Sequence, residues 1–184
     1  ALEFDGVVDY VSVVDTLGIT SYPVTMSCWF NAEKSADSTI MWFGDDDSTN
    51  SSLKIELRSA NNEGNIRIAA RIGGAAQQAT TTDLLNEFND SQWHYVVGVW
   101  ADATTRKLYL DGVYRSEAVN TTSVAFSGDI DNFAVGRVND TSPERYLKGK
   151  GANVQVWNAV WSLADVQYAY THPEKFAYDA PDTS

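Results

Sequence analysis

The chain is short of basic residues: 13 Lys and Arg stand against 25 Asp and Glu in 184 residues, a formal net charge of −12. Nucleic acid and anionic lipid reward Lys and Arg, so this balance disfavours both as partners. It is compatible with cations and neutral sugars, and an acidic surface also serves solubility alone. Cys28 is the single cysteine, which excludes an internal disulfide and a Cys-rich structural zinc site. It shares a strand face with Val24, Met26 and Phe30, the setting of a buried thiol rather than a nucleophile. No stretch reaches the roughly 18 consecutive apolar residues of a membrane span. A signal peptide is not recognisable and the chain starts at Ala1, as expected for a mature product or an excised piece of a longer protein. Gly-rich phosphate loops and nucleophile elbows are also missing.

What the chain has is β-strand signal. It is 43% hydrophobic and 12% aromatic, enough to argue against disorder and for a folded core. Leu53, Ile55 and Leu57 alternate with Lys54, Glu56 and Arg58, and Ile66, Ile68 and Ala70 with Arg67 and Arg71, the pattern of half-buried antiparallel strands. Further strands are expected at Ala1–Gly6 (a short strand with its turn), Tyr10–Val13, Thr25–Phe30, Thr39–Phe43, Trp93–Trp100, Lys107–Leu110, Asn132–Gly136 and Asn153–Trp157. Asn, Gly, Asp and Ser clusters between them act as turns. Asp83–Phe88 has the pattern of one helical turn. A better helix runs from Ser162 to Tyr170, with Ser162 as N-cap, Asp165 near the positive end of the dipole and Pro173 as the stop. The expectation is one domain over 1–176 with a polar tail at 177–184. Its fold class is all-β, a two-sheet antiparallel sandwich with one short C-terminal helix.

Several segments in order resemble a known family. They are Leu2-Glu3-Phe4-Asp5-Gly6, Thr25-Met26-Ser27-Cys28-Trp29-Phe30, Trp93-His94-Tyr95-Val96, Leu108-Tyr109-Leu110-Asp111-Gly112, Val135-Gly136-Arg137 and Asn153-Val154-Gln155-Val156-Trp157-Asn158. Their order and wording resemble the laminin-G-like and pentraxin-like branch of the concanavalin A-like lectin/glucanase superfamily, from Leu2 to about Tyr170. The resemblance implies a jelly roll whose non-enzymatic members bind glycans, often through calcium. It also implies two calcium loops, which here are Asp45–Asn50 and Arg137–Thr141. By that similarity Asp47, Asn50, Asn139 and Asp140 take the ligand roles for calcium, an ion that wants six to eight oxygens. Two positions depart from the pattern. Ala152 stands where many bacterial laminin-G-like domains have Asp, and Val138 where pentraxins often carry an acid. The plain alternative is that these Asp and Asn residues only build solvated turns; the Asp5/Asp9 and Asp129/Asp131 groups are further acidic candidates.

A sugar site needs a flat aromatic face beside planar polar groups. Trp42, Tyr146 and Trp161 fall in or near loops, with Arg137 placed to reach hydroxyls or a carboxylate. Trp29, Trp93, Trp100 and Trp157 sit in strand patterns, as core or sheet-face residues. The glycosidase relatives present Glu-x-Asp-x-x-Glu on one strand, and no such run occurs here. Ile55-Glu56-Leu57-Arg58 is similar to the strand of the lyase relatives, yet no Gln-x-His partner exists. His94 is a general-base candidate that matches a residue of non-catalytic relatives; His172 fits helix capping. The expectation is a non-catalytic lectin-like module that binds a glycan or polysaccharide with calcium. It would sit outside the cell, on its surface or on a virion, beside other domains of a parent protein. A structural or adhesion domain of a virion or cell surface is the alternative, because Ala169–Phe176 is similar to the ends of such domains.

Overall fold

A computed structural model describes residues 1–33, 37–47, 51–58, 65–72, 75–80, 88, 90–119, 125–126 and 128–175. The first sheet runs β1 (Leu2–Asp5), β12 (Lys148–Trp157), β3 (Val24–Ala32), β8 (Trp93–Trp100), β9 (Thr105–Leu110) and β10 (Val113–Val119), edge to edge. The second runs β2 (Val11–Val14), β11 (Asn132–Val135), β4 (Ser38–Gly44), β5 (Ser52–Arg58), β6 (Asn65–Ile72) and β7 (Ala75–Thr80). Every pairing is antiparallel. This is the two-sheet sandwich that the alternation predicts.

The alternating apolar positions meet between the sheets. Met26, Cys28 and Phe30 of β3 face Met41 and Phe43 of β4 and the Leu53–Ile55–Leu57 row of β5 in one buried cluster. Each such side chain contributes roughly 1.5–3 kcal/mol by leaving water. Cys28 lies inside it, and burial pushes its thiol up, so it packs as an apolar group. The helix α1 (Leu163–Thr171) forms as predicted. Ser162 and Asp165 close a capping box, with Ser162 N–H donating to Asp165 Oδ2 at 2.7 Å. Val166 and Ala169 of α1 cover Tyr95, Val97, Val99 and Tyr109 on the outer face of the first sheet.

Two strands have no counterpart among the predicted ones. Ala75–Thr80 carries weak β-formers, and Val113–Val119 turns polar after Tyr114 because β10 is a sheet edge. Strand β12 starts earlier than predicted, at Lys148, and its register shifts between Ala152 and Gln155, where Asn153 takes φ 49°. The helical turn expected at Asp83–Phe88 lies, apart from Phe88, outside the described residues, as does the 177–184 tail.

The outer face of the second sheet is shaped by a folded-back loop. Gly136 N–H donates to Ile40 O at 3.1 Å, Leu147 N–H to Gly136 O at 2.7 Å and Thr39 N–H to Arg145 O at 2.8 Å. These bonds pin residues 137–147 onto β4. Beneath them Trp42 packs with Ala134 and Val138, 1% exposed. The Trp42 ring needs the space over Gly44, where a Cβ would press on it and fall within 2.6 Å of the Ser51 carbonyl. Gly44→Ala is therefore expected to cost about 1–3 kcal/mol through overpacking, read as a lower denaturant midpoint.

Candidate functional site

Polar side chains gather along β11 on the outer face of the second sheet. Asn132 of β11 pairs with Gly44 of β4, so the segment after β4 lies beside the segment before β11. Asp45 N–H donates to Ser51 O at 2.9 Å and Asp131 N–H to Gly44 O at 3.1 Å, fixing both turns. One carboxylate oxygen from each of Asp45, Asp46 and Asp131 then lies within 4.8 Å of the others. Burial, together with the charges of Asp131, Asp129 and Asp47, pushes the Asp45 carboxyl above its ordinary value. Burial and the charges of Asp46 and Asp47 do the same to Asp131. Asp131 Oδ1 is shielded from solvent with no hydrogen-bond donor on it.

A relay of amides leads from this cluster to an arginine. Asn132 Nδ2 donates to Asp46 Oδ2 at 2.9 Å, and Asn139 Nδ2 donates to Asn132 Oδ1 at 2.9 Å. Arg137 Nη2 donates to Asn139 Oδ1, and Arg137 Nη1 to Tyr146 Oη at 3.1 Å. The guanidinium centre lies 3.3 Å from the centroid of the Tyr10 ring, a close cation–π contact. Arg137 Nε is enclosed and has no protein acceptor. The strip thus joins a carboxylate cluster at one end to an arginine between two tyrosines at the other.

Of the sequence-predicted residues, Arg137, Tyr146 and Asn139 fall on this strip. Asn139 spends both ends of its amide on Asn132 and Arg137. Asp140 Oδ1 accepts from Ser142 N–H at 2.8 Å and closes its own turn. Asp47 is exposed and lies outside the three-carboxylate group, its N–H donating to Asp45 Oδ1 at 3.0 Å. Asn50 is outside the described residues. Trp42 is corrected: buried under Val138, its ring presents no open face to a ligand. Trp161 is likewise packed beneath α1, whereas Trp93, placed in the strand pattern, is 41% exposed. Sequence reading passed over Asp45, Asp46 and Asn132 as ligands and missed Tyr10, because only the pairing of β11 with β4 and β2 brings these segments together.

Beside the strip lies a second charged cluster. Glu56 points away from the core yet is 0% exposed. Lys54 Nζ reaches its Oε1 at 3.0 Å, Arg145 Nη1 the same oxygen at 2.7 Å, and Arg67 Nε its Oε2 at 2.9 Å. Burial alone would raise this carboxyl, but Lys54 and Arg67 hold it at about 2. One carboxylate thereby fixes three cations and ties the 137–147 loop to β5.

His94, the general-base candidate, is held by protein groups on both nitrogens. Nδ1 meets Asp111 Oδ2 at 2.9 Å and Nε2 meets Asp90 Oδ1 at 3.2 Å, with Phe88 packed edge-on. The Asp111 bond, opposed by burial and helped by Asp90, raises its pKa. A raised folded-state pKa stabilises the fold below the unfolded value and loses that contribution as pH rises through the folded one. His94→Asn is expected to flatten the decline in melting temperature that the wild type shows as pH rises above about 6.5, followed by circular dichroism.

The fold is an antiparallel two-sheet sandwich with a polar and aromatic strip on the outer face of one sheet. Residues 5–167 match the family model described as the concanavalin A-like lectin/glucanases superfamily. The chain belongs to that superfamily. A search among curated proteins found no match. Similar solved structures include domain 4 of AbnA, a GH43 extracellular arabinanase from Geobacillus stearothermophilus, in complex with arabinotriose. It is 22% identical, with 86% of this chain and 71% of that one covered, at a TM-score of 0.66. The CBM40 of a Ruminococcus gnavus IT-sialidase bound to α2,3-sialyllactose is 14% identical over 82% of this chain and 84% of its own, TM-score 0.67. The native heptameric SAP-like pentraxin from Limulus polyphemus is 13% identical over 91% and 80%, TM-score 0.65. At these identities the likeness is one of fold.

Proposed function

We propose that this chain is a non-catalytic carbohydrate-binding module whose site is the strip along β11. The observation that carries this reading is the Arg137 arrangement. A guanidinium is pre-oriented by Asn139 and Tyr146 and lies over Tyr10, on a side chain that stays partly exposed. Its planar donors suit the hydroxyls or carboxylate of a sugar, and the Tyr10 and Tyr146 rings supply apolar faces for the pyranose. Two of the similar structures were solved with an oligosaccharide, arabinotriose in one and sialyllactose in the other, and both support the reading.

Calcium fits the opposite end. Three carboxylates converge there, two with raised pKa values, and Asp131 Oδ1 has no donor. Such a set is costly as three bare charges and favourable around a hard cation that accepts carboxylate and carbonyl oxygens. Asp45, Asp46 and Asp131 would hold the ion, which supplies a fixed positive charge and open positions for sugar hydroxyls. The Asp46–Asn132–Asn139 relay would pass the order of the bound cluster on to Arg137. In this reading the strip binds and orients the sugar, and its carboxylates serve the cation. A module of this kind suits an extracellular or cell-surface protein. No helix among the described residues is long and apolar enough to cross a membrane.

Glycan-array screening of the purified chain, with calcium and with chelator, tests the proposal. Retention of a defined glycan group that weakens in chelator is the expected result. An array without any signal in either condition overturns it.

A further inference from the structure

Arg106 is a core-facing arginine. It stands in β9 directly opposite Trp100 of β8, and such partners point to the same side of a sheet. Trp100 belongs to the core cluster between the sheets, so Arg106 faces that core too, and it is 0% exposed. A guanidinium does not lose its proton in a protein, and buried charges are ordinarily paired. Arg67, the other buried arginine among the described residues, meets the Glu56 carboxylate. Arg106 instead donates to two backbone carbonyls, Thr104 O from Nη1 and Ala103 O from Nη2, both at 3.3 Å. Burial works against its charge, and Tyr22 and Asp102 offset that only in part. Asp102 turns its Oδ1 to its own turn, accepting from Thr104 N–H at 2.7 Å and Thr105 N–H at 2.8 Å.

Three donors at this end of the sandwich are left over. Arg106 Nε, Trp100 Nε1 and Tyr22 Oη are all shielded from solvent without a hydrogen-bond partner. Their residues lie side by side. Trp100 pairs with Arg106 on one flank and with Val24 on the other. Tyr22, just before β3, packs against the same core cluster, with Phe126 edge-on to its ring at 5.3 Å. Burial raises the pKa of the Tyr22 hydroxyl and the Arg106 charge pulls it back, so the two groups are close. Guanidinium and indole nitrogens only donate, and a phenol can donate as well. Three donors around one fixed positive charge suit a small anion. A water would have to donate two hydrogens of its own, which this set of groups does not accept.

We propose that Arg106, Tyr22 and Trp100 bind one monovalent halide ion, chloride under ordinary salt, at the end of the core. A bare spherical ion accepts from every side, and its single charge balances that of Arg106. A sulfate or phosphate would bring a second charge and further oxygens into a closed site that has no donors for them. The ion ties the Ala101–Thr105 turn, which Arg106 already holds through its carbonyls, to the segment before β3. This site lies between the sheets, apart from the β11 strip, and does not rest on the proposed glycan reading.

Thermal unfolding of the whole chain tests the site, with sodium gluconate exchanged for chloride or bromide at constant ionic strength. Gluconate is too large to be enclosed. A halide that binds only the folded chain, at about ten times its Kd, multiplies the folding equilibrium about elevenfold. The melting temperature then rises by roughly 3–6 °C and levels off with halide concentration. Tyr22→Phe keeps the ring against Phe126 and removes one donor, and raises the half-saturating halide concentration about tenfold or more. Arg106→Met abolishes the rise. In crystals grown with bromide, anomalous scattering places one bromide beside Arg106 Nε and Tyr22 Oη. A water there without anomalous signal overturns the proposal. So does a melting temperature that ignores the exchange of gluconate for halide, or a Tyr22→Phe variant that titrates as the wild type does. Failure of glycan binding alone leaves this site standing.

Discussion

Glu56→Gln is expected to lose about 3–5 kcal/mol of stability, because it takes the charge from one side of a buried ion cluster. The substitution keeps the side chain's shape and removes its charge. Lys54, Arg67 and Arg145 then converge on a neutral amide that is itself buried, while their own side chains keep partial exposure. Three cations that one carboxylate had gathered repel each other, and the 137–147 loop loses its anchor on β5. The same group sets the acid sensitivity of the fold. Its carboxyl is held at about 2 against an ordinary value of 4.5. A depressed folded-state pKa contributes stability above the unfolded value and loses it as pH falls through the folded one. The window is therefore about pH 4.5 down to about pH 2, and the difference is worth on the order of 3 kcal/mol. Urea titrations of wild type and Glu56→Gln at neutral pH and near pH 3 separate the two. The variant should be far weaker at neutral pH and show a shallower acid decline. A variant within about 1 kcal/mol of wild type at neutral pH would mean that water reaches the cluster.

Calcium is the second large effect. Burial and the charges of neighbouring carboxylates make Asp45 and Asp131 costlier to ionise when no cation stands beside them. An ion that binds only the folded chain stabilises it by about 2.7 kcal/mol at a hundred times its Kd. In a domain of this length that is a rise of roughly 5–10 °C in melting temperature over chelator. Asp131→Asn is expected to abolish the rise. In chelator the same variant should melt at or above the wild type, because removing one charge relieves repulsion. This pair of opposite signs distinguishes a cation site from a general salt effect. Identical wild-type melts in calcium and chelator would remove the ion from the strip, leaving Arg137, Tyr10 and Tyr146 to recognise sugar alone.

The sheets were readable from the sequence because period-two alternation is a local signal. Leu53, Ile55 and Leu57 predicted an inward row, and they form one. Ser162 and Asp165 predicted a helix start, and their side chains bond each other's backbone there. The weak-propensity strand β7 and the polar edge β10 gave no such signal. The site was less readable because it depends on which strands neighbour each other. Arg137 and Tyr146 were found from their own chemistry, but Tyr10 joins them only through the β2–β11 pairing. The acidic cluster was expected around Asp47 and Asp140, whereas the pairing of Asn132 with Gly44 gathers Asp45, Asp46 and Asp131. Trp42 was misplaced for a related reason: its neighbour across the strand pattern is the folded-back loop, which no periodicity encodes. Glu56 looked like an ordinary solvent-facing residue until Arg145, distant in sequence, reached it.

The most direct test is calorimetric titration, in calcium, of the best-retained oligosaccharide into wild type and into Arg137→Ala. The strip along β11 predicts saturable binding in the wild type and a loss of about 10- to 100-fold in the variant, which stays folded by circular dichroism. Equal affinity in a folded Arg137→Ala protein would contradict it and place sugar recognition on another face.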